Sequence, residues 1–383
     1  MKGSFLYIGP FQLPDRNAAA QRVLGIAKAL RQLEYEVVFL DFDKDCNAFS
    51  GIPHDVCGFQ TYSQPYPSSL KQWLKHALCP MYVQDVLKKH TEWKGVIAYN
   101  YPAVALRRLT FLCHSLKIKV LADCTEWYTP VFSNLHRMAV TFDSCLRMRW
   151  AQKKVDGIIA ISAFLANYYQ PYTKVITLPP LVDIEDEKWK IVESQKANDR
   201  ISLYYVGSPG LGYGKDRIDV IIDALDKCHS SNQLVFHVVG ITEEQFLQAF
   251  PNFQESVHKL SNQNSLIFHG RLTHQEAIAL LKKADYSIFL REKNRMTLAG
   301  FPTKFAESIT CGVPVITNDT SDLKRYLSDD KGGILVELDI KQISNTFSSL
   351  SKKHHDHYVD KETFDYKRYT KQIRNFVEQV IVD

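Results

Sequence analysis

The 383-residue sequence predicts an α/β protein of two Rossmann-like domains, each a doubly wound parallel sheet, facing across a cleft. Three observations predict it. Short apolar runs alternate with segments of helical spacing along the whole chain. The alternation breaks once, at the charged and unpatterned stretch from Val182 to Arg200, and then restarts. Most loops with marked chemistry follow the apolar runs, which is where such sheets bind ligands. The expected domains are residues 1–185 and 186–360, with 361–383 as a helix returning to the first domain.

In the first domain, Phe5–Ile8 is a short apolar run ending in Gly9. Ala18 to Leu33 carries Val23, Ile26, Ala27 and Leu30 at helical spacing. Glu36–Leu40, Gly95–Ala98, Lys119–Leu121 and Gly157–Ile161 read as the next strands. Ser162 suits the N-cap of a helix over Ala163–Tyr169. Val175–Leu178 then runs into Pro179-Pro180. Past the connector, strands are expected at Ile201–Val206, Leu234–Val239, Ser265–His269, Tyr286–Leu290, Val313–Thr317 and Ile334–Val336. Helices are expected at Arg217–Cys228, His274–Lys283 and from Thr303. No internal repeat is visible.

At 45% hydrophobic and 12% aromatic, the chain can bury large cores and is neither disordered nor fibrous. The apolar start up to Ile8 is too short for a signal peptide, and Gly9-Pro10 interrupts it. No apolar run reaches the roughly 18 residues needed to span a bilayer. The eight cysteines are scattered without a CxxC pair, which predicts reduced thiols in a cytoplasmic protein. The net charge is +5, and residues 1–185 hold 21 Lys/Arg against 15 Asp/Glu. Arg137, Arg147, Arg149, Lys153 and Lys154 lie among Met138, Val140, Phe142, Met148 and Trp150. Such a segment suits an anionic membrane surface, or a core helix with a solvated edge. The charge is modest and no nucleic-acid motif accompanies it.

The most informative stretch is Ala299-Gly300-Phe301-Pro302-Thr303-Lys304-Phe305-Ala306-Glu307, followed by Gly312 and the strand run from Val313. Pro302 suits the first helical position, and Gly312 a left-handed stop. Gly300 permits close approach of a ligand to the backbone. The positive end of this helix attracts an anion such as a diphosphate. Glu307, about one turn in, can accept hydrogen bonds from ribose hydroxyls. The strand Ile201–Val206 runs into Gly207-Ser208-Pro209-Gly210-Leu211-Gly212-Tyr213-Gly214-Lys215-Asp216. Its four glycines can turn amides toward a phosphate, and Lys215 adds a point charge. The spacing is neither Walker A nor GxGxxG.

Gly9 ends a strand in the same manner, and Arg16 and Arg22 beyond it can meet an anionic group. Asp41-Phe42-Asp43 is a DxD triplet that reads as a polar loop. Asp123 and Glu126 stand beside Trp127 and Tyr128, a setting that desolvates a carboxylate for base work or for contact with a sugar hydroxyl. His354, His355 and His357 lie in a charged stretch that reads as a solvated loop. No GxSxG or HExxH motif occurs.

Together the Ala299–Glu307 segment, the glycine loop ending in Lys215 and the two Rossmann-like halves resemble GT-B glycosyltransferases, specifically the retaining family 4 (glycosyltransferases group 1). Asn17-Ala18-Ala19-Ala20-Gln21-Arg22, Ile159-Ala160-Ile161-Ser162, Leu178 to Asp183 and Thr317 to Leu323 add to the likeness, which covers most of the chain. By this resemblance Glu307 is the second acid of the E-x7-E motif and holds the nucleotide ribose. Lys215 neutralises the donor diphosphate. Gly300, Phe301, Pro302, Thr303 and Lys304 border the donor, as do Gly9, Ser208 and Gly210. Arg16, Asn17 and Arg22 face the acceptor. Lys215, Glu126 and Asp123 are the catalytic candidates.

The sequence departs from the pattern in three places. The first acid of E-x7-E falls on Ala299. Ser208 stands near the place of an arginine, for which Arg271 or Arg291 would compensate. The Asp123/Glu126 corner replaces a histidine.

The resemblance implies a retaining, metal-independent hexosyltransferase with no cofactor. It would move sugar from a nucleotide-diphospho-sugar to a saccharide or lipid-linked acceptor in surface polysaccharide synthesis. It would be cytoplasmic, with peripheral contact to the inner face of an anionic membrane. A nucleotide-sugar 2-epimerase and a non-catalytic nucleotide-sugar-binding component of an assembly complex are the alternatives.

Overall fold

A computed structural model describes residues 1–128, 135–190, 199–209, 215–328, 331–351 and 358–382, with the side chains of 135–137 left out. The chain divides into two compact units. One comprises Met1–Val182, Leu298–Phe301 and Asp365–Asp383, and the other Asp183–Thr297 and Pro302–Phe364.

The first unit holds an eight-stranded sheet. Its strands are β1 (Ser4–Gly9), β2 (Glu36–Asp43), β3 (His54–Val56), β4 (Phe59–Pro65), β5 (Trp93–Tyr99), β6 (Lys119–Cys124), β7 (Gly157–Ala160) and β8 (Lys174–Thr177). The spatial order is β3-β4-β2-β1-β5-β6-β7-β8. All pairs are parallel except the β3–β4 hairpin at the edge. Every residue of β1 is buried, as a central strand covered on both faces requires. The helices are α1 (Ala18–Gln32), α2 (Leu70–Leu78), α3 (Val83–Leu87), α4 (Ala103–Ser115), α5 (Leu135–Leu146) and α6 (Ala163–Tyr169).

The second unit is a six-stranded parallel sheet of β9 (Ile201–Val206), β10 (Leu234–Val239), β11 (Leu266–Gly270), β12 (Tyr286–Ile288), β13 (Val315–Thr317) and β14 (Gly333–Leu335). Its order is β11-β10-β9-β12-β13-β14. Its helices are α7 (Ile218–Asp226), α8 (Glu243–Ala249), α9 (Gln254–Asn262), α10 (His274–Leu281), α11 (Arg295–Ala299, which crosses the unit boundary), α12 (Thr303–Thr310) and α13 (Ile340–Ser349). The chain closes with α14 (Tyr366–Val382). Its Ile373, Phe376, Val377 and Val380 join Val23, Ile26, Ala27 and Leu30 of α1 in one core, so this helix completes the first unit.

Local chemistry explains several boundaries. Asn17 caps α1 by accepting from the amides of Ala19 and Ala20 at 2.9 and 3.1 Å. Ser162 caps α6 through the Leu165 amide. Gly312 ends α12 in the left-handed region, with φ of 77°. Pro302 differs from expectation. It is the N-cap residue, with extended backbone, and the helix begins at Thr303. The basic segment near residue 147 also differs from a plain surface helix. After α5 the chain forms a five-residue π-turn, Arg147–Ala151, that carries Arg147 and Met148 inward. The Arg147 guanidinium then donates to the Asn100 carbonyl at 2.6 Å. The connector contains a short 3₁₀ turn, Glu187–Trp189, with Trp189 buried. Residues 191–198 lie outside the described ones.

A buried ion pair ties the strands of the first sheet to α1. Arg22 Nε donates to Asp123 Oδ1 at 2.9 Å and Nη2 to the same oxygen at 2.7 Å. Nη1 donates to the Leu178 carbonyl at 2.8 Å, and Tyr7 Oη donates to Asp123 Oδ2 at 2.6 Å. Arg22 and Asp123 are almost wholly buried. Removing one member of such a pair costs about 3–5 kcal/mol, because the other charge stays buried. Urea unfolding of Arg22→Met should show a loss of that size, and adding Asp123→Leu should recover much of it. Equal losses in the single and double variants would contradict the pairing.

Candidate functional site

In the second sheet the chain leaves β9 toward β10 on one side and leaves β12 toward β13 on the other. The point between β9 and β12 is where the winding reverses. Open α/β sheets bind ligands beyond the strand ends at such a point. The groups gathered there are charged. Asp216, in the loop after β9, is 1% exposed and lies between two cations. Arg291, past the end of β12, donates from Nε to Asp216 Oδ1 at 2.6 Å. The Lys304 ammonium, from the first turn of α12, pairs with Asp216 Oδ2. The same ammonium donates to Tyr205 Oη at 2.9 Å, and Tyr205 Oη donates to Asp216 Oδ2 at 2.8 Å. It lies 4.2 Å from the Tyr205 ring centroid, a cation–π distance.

Each cation is held by its frame. Asn318, just after β13, accepts from the Arg291 amide at 2.9 Å and donates to the Arg291 carbonyl at 2.8 Å. The Arg217 amide donates to the Leu290 carbonyl at 2.7 Å, which joins the loop after β9 to the end of β12. Gly207, with φ of 131°, leaves room for Lys304. A Cβ there would stand 3.3 Å from the lysine Cε and Nζ.

Two buried cations share one carboxylate, so the cluster has one surplus positive charge. Burial pushes the Asp216 carboxyl up, but Lys304 and Arg291 overcome this and hold it well below the ordinary carboxylate range. Burial pulls the Lys304 ammonium down to about 8 against the attraction of Asp216, with Arg291 and Lys215 adding repulsion. A cationic group desolvated beside further positive charge is poised to take an anion. Among the described residues no side chain caps α12, so its amide end carries no internal acceptor from a cap.

The sequence-derived residues fall into three sets. Lys304 is in the cluster, and Lys215 is exposed beside Asp216. Thr303 opens α12, Phe301 and Pro302 are buried just before it, and Gly300 is part-exposed. Glu307 sits one turn further along α12, 14% exposed, with Oε1 3.4 Å from His274 Nε2 at the start of α10. Ala299 is buried at the end of α11. Ser208 is exposed, and Gly210 lies outside the described residues. Arg271 is exposed after β11 and takes no part in the cluster, whereas Arg291 does.

In the first unit, several roles differ from expectation. Asp123 and Arg22 are consumed in their mutual pair and offer nothing to an acceptor. Asn17 spends its side chain on the α1 cap. Arg16 is half-exposed and pairs with Asp45 at 2.7 Å. Gly9 has φ of 156°, and a Cβ there would meet Phe11 and Tyr99 at 2.9 Å, so its close approach is to its own chain. Asp41 is no open polar loop. It lies in β2 opposite Gly9, where its carboxylate accepts from the amides of Phe11, Gln12 and Leu13 at 2.8, 3.0 and 2.8 Å. Burial pushes Asp41 up to about 6 even though these amides favour its charge. Glu126 stays part-exposed and accepts from Asn100 Nδ2 at 3.3 Å and from Tyr128 Oη. His354, His355 and His357 lie outside the described residues.

Lys304 supplies the pH dependence. A diphosphate needs the ammonium form, which is lost as pH rises through about 8. Affinity for a nucleoside diphosphate should therefore fall between pH 7 and 9, and binding near pH 8.5 should take up a proton. Calorimetry in two buffers of different ionisation enthalpy measures this uptake. A pH-independent affinity without proton uptake would contradict the assignment.

Residues 188–367 match the family model described as glycosyl transferases group 1. No curated protein matches the chain. Solved structures share the fold across its length. Sucrose-phosphate synthase from Thermosynechococcus elongatus gives a TM-score of 0.70 at 13% identity, covering 99% of each chain. HepE of Anabaena, in complex with UDP and glucose, gives 0.60 at 15% identity, covering 98% of this chain and 100% of that one. The lipopolysaccharide outer core galactosyltransferase WaaB gives 0.62 at 13% identity, covering 98% and 99%. At these identities the structural likeness is one of fold, and it is joined by the sequence match over the unit that holds the charged cluster. Residues 188–367 thus match the glycosyl transferases group 1 family, and the chain as a whole has the GT-B fold of these structures.

Proposed function

We propose that the protein transfers a sugar from a nucleotide-diphospho-sugar to a hydroxyl of a saccharide or lipid-linked acceptor. Configuration at the anomeric carbon is retained, no metal takes part, and the product serves surface polysaccharide synthesis. The observation that carries this reading is the surplus positive charge of Arg291 and Lys304 around Asp216 at the switch point of the second sheet. The leaving group is a nucleoside diphosphate, and its charge grows as the sugar departs. Lys304 and the amide end of α12 meet that charge in a desolvated place, where fixed dipoles and cations act more strongly than in water, and the exposed Lys215 adds a further cation. Glu307 takes the ribose hydroxyls, and His274 keeps its carboxylate oriented before the donor arrives. That HepE is described with UDP and glucose supports a UDP-sugar as the first donor to try.

Atoms balance without a cofactor. The anomeric C–O bond to the diphosphate breaks, a new C–O bond forms to the acceptor oxygen, and the acceptor proton leaves with the product diphosphate. Glu126, part-exposed just past the end of β6, is the carboxylate of the first unit proposed to contact a sugar hydroxyl.

Two variants separate the parts of this reading. Lys215→Ala should lower turnover by roughly 10²–10³, by analogy with the loss of other preorganised charge-stabilising groups, with a smaller change in KM. Glu307→Gln should instead weaken donor binding, by roughly tenfold or more for a lost charge-assisted hydrogen bond. Initial rates with UDP- and GDP-sugars, and proton NMR of the first-formed anomer, provide the readouts. Near-normal turnover in Lys215→Ala, or an inverted product, would overturn the mechanism.

A further inference from the structure

We infer that, given the acceptor role proposed for the first unit, the acceptor sugar carries a phosphate or carboxylate group and that Arg147 binds it. In the first sheet the chain leaves β1 toward β2 on one side and returns to β5 on the other, so the winding reverses between β1 and β5. Tyr99 ends β5 and is paired with Asp123 near the end of β6. Asn100 follows, with φ of 41°, and ties the two strand ends together. Its amide donates to the Asp123 carbonyl at 3.0 Å, and its Nδ2 donates to Thr125 Oγ1 at 2.6 Å.

A guanidinium offers its hydrogens in fixed directions, and Nε with Nη2 form one edge that fits two oxygens of a single anion. The chain uses this edge in that way elsewhere. Arg217 grips Asp219 with it, Nε to Oδ1 at 2.9 Å and Nη2 to Oδ2 at 2.7 Å. Arg22 turns the same edge to Asp123. Arg147 is 5% exposed, and its Nη1 donates to the Asn100 carbonyl at 2.6 Å. Its Nε and Nη2 are buried and have no hydrogen-bond partner among the described residues. A buried guanidinium with this edge unused is costly, because its charge is desolvated and only partly answered. An anion touching both nitrogens removes that cost.

The carboxylates of this region are committed elsewhere. Asp143, one helical turn before Arg147, accepts from the Ala103 amide at 2.9 Å. Glu126 accepts from Asn100 Nδ2 at 3.3 Å and from Tyr128 Oη. Neither reaches the free edge of Arg147. Asn100 thus carries both groups, the guanidinium on its carbonyl and the Glu126 carboxylate on its side-chain amide. One sugar residue placed there meets Glu126 through a hydroxyl and Arg147 through an acidic substituent. A neutral sugar would leave the guanidinium edge without its two convergent charged oxygens. The π-turn after α5 sets this up, since it carries Arg147 inward while Arg149 on the same turn stays exposed. Such local widenings of a helix recur at functional sites. All of these groups belong to the first unit.

Isothermal titration of the full chain with glucose, glucuronate and glucose 6-phosphate tests the inference, with UDP in excess to occupy the Asp216 cluster. At least one acidic sugar should bind about tenfold or more tightly than glucose, the value of a hydrogen-bonded contact to a charged group. The better of the two tells carboxylate from phosphate. Arg147→Met should abolish the preference. Arg147→Lys, which keeps the charge and loses the edge, should lose most of it. Thermal stabilisation by UDP should be the same in both variants as in the parent chain, so a failure at Arg147 is distinguished from a failure of the donor reading. If UDP does not bind, the donor reading falls and the acidic preference still decides this one. Absence of binding by both acidic sugars, equal binding of all three, or a preference that survives in both variants would overturn the inference.

Discussion

The Asp216 carboxylate, shared by Arg291 and Lys304, is the constraint on which the rest of the second unit's site depends. It fixes the loop after β9 against the residue that follows β12 and against the first turn of α12. A lone buried carboxylate would be unstable there, and two unpaired buried cations still more so. Together they are tolerable, because each charge has a hydrogen-bonded partner and Tyr205 bridges two of them. The arithmetic of charge nevertheless leaves one cation in excess. That excess sits at the reversal of sheet winding, beside Gly207, whose missing side chain leaves Lys304 its room. Structure and function use the same atoms: the pairing that holds the loops also holds the charge that a diphosphate would satisfy.

The first unit shows the contrast. Arg22 and Asp123 pair one to one, with Tyr7 and two backbone carbonyls completing their hydrogen bonds. No charge is left over, and no group remains open to a ligand. Asp41 likewise spends its carboxylate on three amides of the loop after Gly9. These residues shape the end of the sheet, where Glu126 stays part-exposed. Charged residues near strand ends thus divide by stoichiometry: balanced pairs are structural, and the unbalanced set is the one with chemical reach.

Much of the fold was legible in the sequence. Central strands such as Ile201–Val206 and Leu234–Val239 are continuous apolar runs, and a strand covered on both faces has to be one. The β3–β4 hairpin at the edge escaped because His54–Val56 is only three residues long and Phe59–Pro65 mixes polar and aromatic residues. Helix α2 escaped because its apolar residues occupy two sides, and only one side is explained by packing. The Ala299–Glu307 segment contributes Lys304 to the charged cluster, and Lys215 lies beside Asp216. Asp216 was passed over because a carboxylate beside a lysine looks solvated in one dimension. Its partners lie 75 and 88 residues away, and only the pairing of β9 with β12 brings them to it. Asn318 and His274 were missed for the same reason: each acts on a residue that is distant in sequence and near in the sheet. Arg22 and Asp123, 101 residues apart, were each noticed, but their mutual neutralisation is a fact of topology.

The cluster around Asp216 carries a positive surplus that a diphosphate would match. The most direct measurement compares thermal stabilisation of the full chain by uridine, UMP and UDP at equal concentration, repeated with Lys304→Met. Uridine should have little effect and the gain should be concentrated at the second phosphate, with that gain lost in the variant while the nucleoside effect persists. Equal stabilisation by all three ligands, or an undiminished diphosphate gain in Lys304→Met, would contradict it.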